Sequence, residues 1–466
     1  MRHETMLIVA TGLLLSGCAG SQVTKRPATA ETHTVARATT TGAVDGVSEG
    51  AGKSEPVIEQ VAMWQPASTV STPAPLPSAD GETQTLDSLE RLALSNNPTL
   101  VQLQARVDAA NGRWVQVGLY PNPEIAYSAP EIGNSGTPGQ QGAYLQQEFV
   151  TADKLSLNRN AATWDVKRSE QELAAQRLRV LTDVRRGFYS VRIAQERVNI
   201  AVELQSIAQA AVEKAKELVK LQEPQTVLTQ AEIEAELADV LVENSQAQLD
   251  GQWRNLAAVI GRPEMPVQGV AGDLTSDGPQ LVWEQTLDRI HRESPELAAA
   301  AAEVEQARWA LQVASVQAVP NVTVQAGAMY DYGTRDPIAT LQIQLPIPIY
   351  DRNQGGIAEA HSNVLAAEKS VQRMQLSLQQ RLAAVYQQYE QARQQAVRYD
   401  GTILKKAKTN LDLNRQAFEA GESAYLAVLT AQRSYSQARL TWLNAVEQLW
   451  SATVQMEGLL LSDSLD

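Results

Sequence analysis

Residues 341–356 read LQIQLPIPIYDRNQGG, a short alternating run that breaks at two prolines. Leu341, Ile343 and Leu345 alternate with Gln342 and Gln344, the period-two pattern of a strand with one apolar and one polar face. Pro346 and Pro348 end that ladder, because proline has no N–H to donate. A polar patch and Gly355-Gly356 follow, and then no turn signal occurs for dozens of residues. Ile357, Ala360, Val364, Ala367, Val371 and Met374 begin an apolar run at steps of three or four that continues through Leu382, Tyr389 and Ala396 to Leu411. That spacing predicts a coiled-coil seam on a helix from about 356 to 420, roughly 100 Å long at 1.5 Å per residue. Gly401 marks a local bend in it, and Gly421 ends it.

Upstream, 321–332 places Val322, Val324, Ala326, Ala328, Tyr330 and Tyr332 on one strand face. Asn321, Thr323, Gln325 and Asp331 lie on the other, and Gly333 opens a turn into a second strand over 338–345. Alternation over about ten residues, with tyrosines at the strand end, is the pattern of a transmembrane β-strand. A soluble two-stranded hairpin is the alternative. An earlier pair, PEIAYSAPEI (123–132) and GAYLQQEF (142–149), alternates less well and is interrupted by Pro130.

The earlier pair belongs to an internal duplication. Asn97-Pro98 is echoed by Ser294-Pro295, Pro121-Asn122 by Pro320-Asn321, and Val227-Leu228-Thr229 by Val428-Leu429-Thr430, at offsets of 197, 199 and 201 residues. Each half reads as helix, strand hairpin, very long helix and shorter returning helix. The first long helix runs from about Leu155 to Leu221 and turns at Gln222-Glu223-Pro224-Gln225; the returning helices cover about 226–260 and 424–460. The expected organisation is 1–17 signal peptide, 18–80 tether, 81–275 first repeat and 276–466 second repeat. Two hairpins supply four strands, whereas the smallest bacterial barrels have about eight. A barrel therefore needs several copies, and three would give twelve strands.

The amino terminus places the protein. Arg2, an apolar run from Met6 to Leu15, and Leu15-Ser16-Gly17-Cys18 form a short signal; about ten apolar residues are too few to span a bilayer. The Leu-Ser-Gly-Cys ending resembles a bacterial lipoprotein signal, which makes Cys18 the lipidated residue, and Ala19 after it favours the outer membrane. Residues 19–80, rich in Thr, Ala, Ser, Gly and Pro, read as a flexible tether. No later run of 18 apolar residues occurs, so a membrane crossing must be made by strands of a closed barrel.

Composition excludes other classes. Aromatics make up 5% of the 466 residues, too few for thick aromatic cores but suited to long seams. A net charge of −14 without a basic block argues against nucleic acid. His3, His33, His291 and His361 are isolated, and Cys18 is the single cysteine, so no metal site or cofactor is expected. No phosphate-cradling glycine loop or nucleophile elbow appears, so no catalytic residue is expected either.

The duplicated Asn97-Pro98 and Ser294-Pro295 segments, Tyr120-Pro121-Asn122-Pro123, and Phe418-Glu-Ala-Gly421 with Val428-Leu429-Thr430-Ala431-Gln432 together resemble the TolC-type outer-membrane factor family over about 85–460. Pro348-Ile349-Tyr350-Asp351-Arg352-Asn353-Gln354-Gly355 is similar to its cation-efflux, CzcC-like branch. The resemblance implies a mainly α fold with a small β part: a homotrimer forming a twelve-stranded β-barrel in outer-membrane lipid and an α-helical barrel in the periplasm of a Gram-negative-type bacterium. It implies a passive efflux conduit for an inner-membrane RND-type pump, joined through a periplasmic adaptor, with heavy-metal cations or alternatively drugs and organic solutes as cargo. It assigns adaptor docking to the tips, Leu221, Gln222, Glu223, Pro224 and Gln225 with Gly421, Glu422, Ser423, Leu426 and Leu429. Many relatives close the tube with aspartates six and nine residues after the tip glycine; here those positions hold Ala427 and Thr430. Pro346, Pro348, Asp351, Gly355 and Gly356 then mark the junction between barrels, with Gln342 and Gln344 facing the lumen and Leu341, Ile343 and Leu345 the lipid. The first half makes the same passage through Glu148–Lys154 without prolines. A lipid-anchored periplasmic coiled-coil scaffold is the alternative of another class.

Overall fold

The computed structural model describes residues 84–220, 224–272, 274 and 278–465. Cys18, the tether and Leu221, Gln222 and Glu223 lie outside the described residues. Two short helices, α1 (Leu86–Asn96) and α2 (Pro98–Gln116), lead into strands β1 (Glu124–Ser128) and β2 (Gln140–Phe149). The long helix α3 (Lys154–Lys220) and the returning helix α4 (Gln225–Ile260) complete the first half. The order then recurs: α5 (Trp283–Glu293), α6 (Pro295–Val316), β3 (Val322–Asp331), β4 (Asp336–Gln344), α7 (Gln354–Arg398), α8 (Leu404–Glu419) and α9 (Tyr425–Glu457).

Local chemistry sets these boundaries. Asn97 caps α2 by accepting from the Thr99 N–H, and Ser294 caps α6 by accepting from the Leu297 N–H; the proline after each sits at the first helical position, where no donor is needed. Gly261 takes φ +83° to close α4, and Gly421 takes φ +76° to close α8. The glycine at 401 does more than bend the second long helix. Tyr399–Ile403 forms a π-helical turn that joins α7 to α8, whereas α3 is continuous over 67 residues. Strand β1 has five residues because Pro130 cannot continue the ladder.

The core lies along helix seams. Alanines such as Ala201, Ala208, Ala215, Ala367 and Ala392 are buried and let the helix axes approach. One apolar cluster gathers Leu89, Val184, Phe188, Trp253 and Ile260 from α1, α3 and α4. A second gathers Ile290, Leu378, Leu382, Tyr389 and Leu449 from α5, α7 and α9. Helix α3 packs against α2, α4, α6 and α9, so it ties the halves together. Polar cross-links reinforce it: Glu296 on α6 takes Arg179 of α3 and Arg381 of α7, each at 2.6 Å. No helix among the described residues is long and apolar enough to cross a membrane.

Candidate functional site: a two-faced sheet on a helical hairpin pair

The four strands form one antiparallel sheet in the order β1-β2-β3-β4, with β1 and β4 as its edges. Directly paired residues share a face, and their register sorts the chemistry into rows. Ile125, Leu145, Ala326 and Leu341 are paired across all four strands, as are Glu124, Gln146, Gln325 and Gln342 in the next row. The alternation continues with Val324 opposite Ile343 and Thr323 opposite Gln344. One face is therefore apolar and the other polar along the sheet, including the first hairpin, whose own alternation is weak. The apolar face has no protein cover in the protomer: Ile125 is 81% exposed and Leu341 72%. Tyr330 and Tyr332 pack edge to face, centroids 5.0 Å apart, at the end far from the helices.

At the helical end of the sheet the two strand-to-helix passages differ. In the first, Ala152 and Asp153 take positive φ values of 55° and 53° to turn the chain into α3. Lys154 is buried there, and its Nζ donates to the Val319 carbonyl and, at 2.9 Å, to Asn321 Oδ1. Thr151 Oγ1 donates to the Pro320 carbonyl at 2.7 Å, and Asn321 Nδ2 donates to Glu148 Oε1 at 2.7 Å. Sequence patterns missed this fastening, which joins residues far apart in the chain; the repeated Pro-Asn at 121–122 and 320–321 was its one available signal.

In the second passage the strand ends at Gln344, and Pro346, Pro348 and Asp351 are exposed. The turn into the helix is made at Asn353, with φ +58°, whereas Gly355 and Gly356 lie in the first turn of α7. Gly356 has a different use: a Cβ there would stand 2.4 Å from Asn353 Oδ1, and the Asn353 carboxamide needs that space to reach the Ala314 carbonyl.

The far end of the helices is a tight apolar cluster. Tyr425, Val428 and Leu429 of α9 are buried with Leu411 of α8, Ala211 and Ala215 of α3 and Ala231 of α4. The Tyr425 ring lies 5.2 Å from Phe418, and burial pushes its phenol up to about 12 although Arg415 opposes the shift. Gly421 lets Glu422 N–H reach back to the Ala417 carbonyl at 2.8 Å, a closure that satisfies the helix end. Pro224, Gln225, Gly421 and Glu422 are exposed at this tip, and Ser423 is half-buried. Ala427 is also half-buried, whereas Leu426 is 64% exposed and shares its face with exposed Thr430, whose hydroxyl donates to the Leu426 carbonyl. Tyr425 and Leu429 thus serve the seam, and Leu426 points away from it. Above the cluster, Leu204, Leu237, Leu241, Leu429 and Leu440 line a groove of about 510 Å³ between α3, α4 and α9, with Glu234 paired to Arg433 at its rim. Among the described residues no histidine, cysteine and carboxylate group could hold a metal ion. His291 and His361 are exposed on helices.

The curated relatives include the cobalt-zinc-cadmium resistance protein CzcC of Cupriavidus metallidurans, 27% identical over 377 residues, covering 81% of this chain and 90% of that protein. The nickel-cobalt-cadmium resistance protein NccC of Alcaligenes xylosoxydans xylosoxydans is 24% identical over 304 residues, covering 61% of this chain and 65% of that one. Among solved structures, the Neisseria gonorrhoeae MtrE outer membrane channel in its open state superposes with a TM-score of 0.68 at 16% identity, over 81% of this chain and 89% of that one. The profile of the outer membrane efflux proteins matches twice, over residues 89–262 and 286–460, once on each half of the protomer, and the chain belongs to that family.

Proposed function

We propose that three copies of this protein form an outer-membrane channel and that it serves as the exit duct of a tripartite efflux system. The observation that carries the reading is the sheet: four strands, open at both edges, with one apolar and one polar face. Lipid accepts the apolar face only if no backbone edge is left unpaired, and three copies would close a twelve-stranded barrel. The polar rows then line a watery lumen, and the helices extend it by roughly 100 Å through the periplasm. The protein is a conduit and not an enzyme. Its division into repeats at 81–275 and 276–466, and its anchoring through lipidated Cys18, are part of the same proposal.

Membership of the outer membrane efflux family supports the partners. The tips at Leu221–Gln225 and Gly421–Ser423, with Leu426 and Leu429 of α9, dock the hairpins of a periplasmic adaptor, and the adaptor connects to an inner-membrane RND-type pump that supplies the energy. Ala427 and Thr430 occupy the positions where many relatives carry gate aspartates, so no carboxylate ring forms at those positions. The cargo is heavy-metal cations, in keeping with the resistance named for CzcC and NccC. Selection among ions belongs to the pump, because the described residues offer no cluster that would hold a metal.

Purified protein in a planar bilayer should give single-channel conductance; a periplasmic coiled-coil scaffold would give none. A deletion strain tested against cobalt, zinc, cadmium and a panel of drugs should lose metal resistance. Loss of drug resistance alone would move the assignment to the organic-solute branch.

A further inference from the structure

Two counterpart asparagines have opposite surroundings. Asn321, in Pro320-Asn321, is bonded to Thr151, Lys154 and Glu148 of the first passage. Asn122, in Pro121-Asn122, is exposed and has no hydrogen-bond partner among the described residues. The passages differ in the complementary way. The first is fastened onto Asn321, whereas the second presents Ile347 at 76% and Tyr350 at 90% exposure, with Asp351 exposed beside them. Within one protomer, then, the second half's Pro-Asn turn is held by the first half's passage. In the first half's Pro-Asn turn Pro121 lends its carbonyl to Gln147 while the Asn122 side chain stays unpaired among the described residues, and the second passage bonds to itself and to Ala314, through Asp351, Asn353 and Gln354, but holds no Pro-Asn turn.

The strand edges show the same pairing of needs. β2 is paired to β3 inside the protomer, while β4 and β1, their counterparts, are unpaired edges. An edge that displays free N–H and C=O groups is a template for another strand. Carrying the observed β2–β3 register, Phe149 opposite Val322, across to the equivalent strands puts Ile343 opposite Tyr127 and Leu345 opposite Ile125. It places apolar against apolar and Gln344 against Ala126 on the other face. A slip of one residue would reverse every face.

We propose that the second passage of one protomer is a cross-subunit latch. β4 pairs with β1 of a second copy in this register, and Asn122 of the partner subunit is held by Asp351 and Gln354, as Asn321 is held by Thr151 and Lys154. Leu119 and Tyr120 of the partner subunit cover Ile347 and Tyr350. The exposed Pro-Ile-Pro-Ile-Tyr run is then an interface segment as well as the end of a strand. The occupant is a second copy because the chain itself contains the matching half of the joint, already assembled once within the protomer. The latch rests on the trimeric reading given above and specifies how its subunits join.

The test uses full-length protein carrying Tyr127→Cys with Ile343→Cys. A directly opposed cross-strand pair has its Cβ atoms ~5 Å apart, within reach of a disulfide; a pair slipped by two residues, about 7–8 Å, is not. Oxidation should convert this variant to covalent dimers and trimers on a denaturing gel, and Tyr127→Cys with Leu341→Cys should stay monomeric. In a second arm, Asn122→Asp sets a carboxylate against Asp351. It should lower the temperature at which the trimer dissociates, and Asp351→Asn should restore that temperature. Cross-linking of the slipped pair, or no suppression by Asp351→Asn, in a protein that is still trimeric by sedimentation, overturns the latch and leaves the channel intact. A wild-type protein that sediments as a monomer in detergent and conducts no current overturns the trimeric reading itself.

Discussion

The two halves of the protomer run the same course, but they are held differently. The first half is fastened within the protomer. Its passage is bolted to Asn321, its α2 is tied to α3 by Arg113–Asp165, and its long helix is unbroken. The second half leaves its passage exposed, interrupts its long helix with a π-helical turn, and ties α6 to α7 elsewhere, through Arg308–Glu368 and Glu296–Arg381, with half-exposed Leu365 standing 200 residues on from Asp165. A duplicated fold thus need not duplicate its contacts. One half completes its joints within the chain, and the other keeps joints that only another copy can complete.

Tryptophan burial tests that contrast with the largest effect. Trp253 and Trp450 each stand eight residues before the glycine that follows their helix, Gly261 and Gly458. Trp253 is 1% exposed, and its Nε1 donates to the Met265 carbonyl, pinning the loop after α4. Trp450 stacks on Tyr189 with centroids 4.3 Å apart, between the halves. Trp253→Ala should cost about 3–5 kcal/mol, the range for truncating a buried aromatic. Trp450→Ala should cost less, as measured by urea unfolding in detergent. Equal costs would mean that the two halves are equally self-sufficient.

The sheet offers a test where the halves should not differ. Leu145 and Leu341 belong to one row on the apolar face, one from each half. Arginine at either position should cost about 2–4 kcal/mol in vesicles if the row lies near the bilayer midplane. Gln342→Arg, on the lumen face, should be close to neutral. A marked difference between Leu145→Arg and Leu341→Arg would show that the first hairpin does not share the lipid band.

The helix caps give a smaller effect. Asn97 accepts from the Thr99 N–H at 3.0 Å and also donates to the Val259 carbonyl at 2.7 Å, so it serves both α2 and the end of α4. Ser294 makes only the cap, to the Leu297 N–H at 3.4 Å. Ser294→Ala should cost about 0.5–1 kcal/mol. Asn97→Ala should cost about 1–2 kcal/mol, since the carbonyl of half-buried Val259 also loses its donor. Thermal unfolding of the pair checks the ratio.

What the amino-acid order made legible was whatever depends on near neighbours. The seam from Ile357 to Leu411 is periodic over many turns, and Gly421 stops it, so the second helical hairpin could be drawn from sequence. The polar face of β3 and β4 was equally plain. The first hairpin was weak because β1 has five residues before Pro130, too few to establish a period; only pairing with β2 assigns Ile125 and Tyr127 to the apolar face. The Lys154 fastening was invisible because its acceptors are about 165 residues away. Gly355-Gly356 looked like the point of re-aiming because glycine permits any turn, but Asn353 makes the positive-φ step, as asparagine readily does. Tyr425 and Leu429 follow the tip glycine one helical turn apart, and burial on facing helices assigns them to the seam.

Asp165 provides the finest test, because it separates charge from packing. Its burial would raise the carboxyl pKa, but hydrogen bonds from Arg113 at 2.7 Å and Arg168 at 2.8 Å outweigh that and hold it below its usual 3.8. A depressed folded-state value stabilises the protein above the unfolded pKa, and the contribution disappears as pH falls through the folded one. Arg113 is 60% exposed, so solvent screens the pair and Asp165→Asn should cost under about 1 kcal/mol at neutral pH. That difference from wild type should shrink as pH falls below the usual carboxylate range and through the lowered folded-state value, in urea midpoints taken at matched ionic strength. A cost that persists in acid would assign Asp165 to packing. The second half supplies the control: 199 residues on from Arg113 stands Gln312, and Arg308 one turn before it is already paired with Glu305 and Glu368, so Leu365→Asp should add no stability at neutral pH. If Leu365→Asp stabilised the protein, the second half would also contain a ready partner for a charge, and the contrast between the halves would rest on their passages alone.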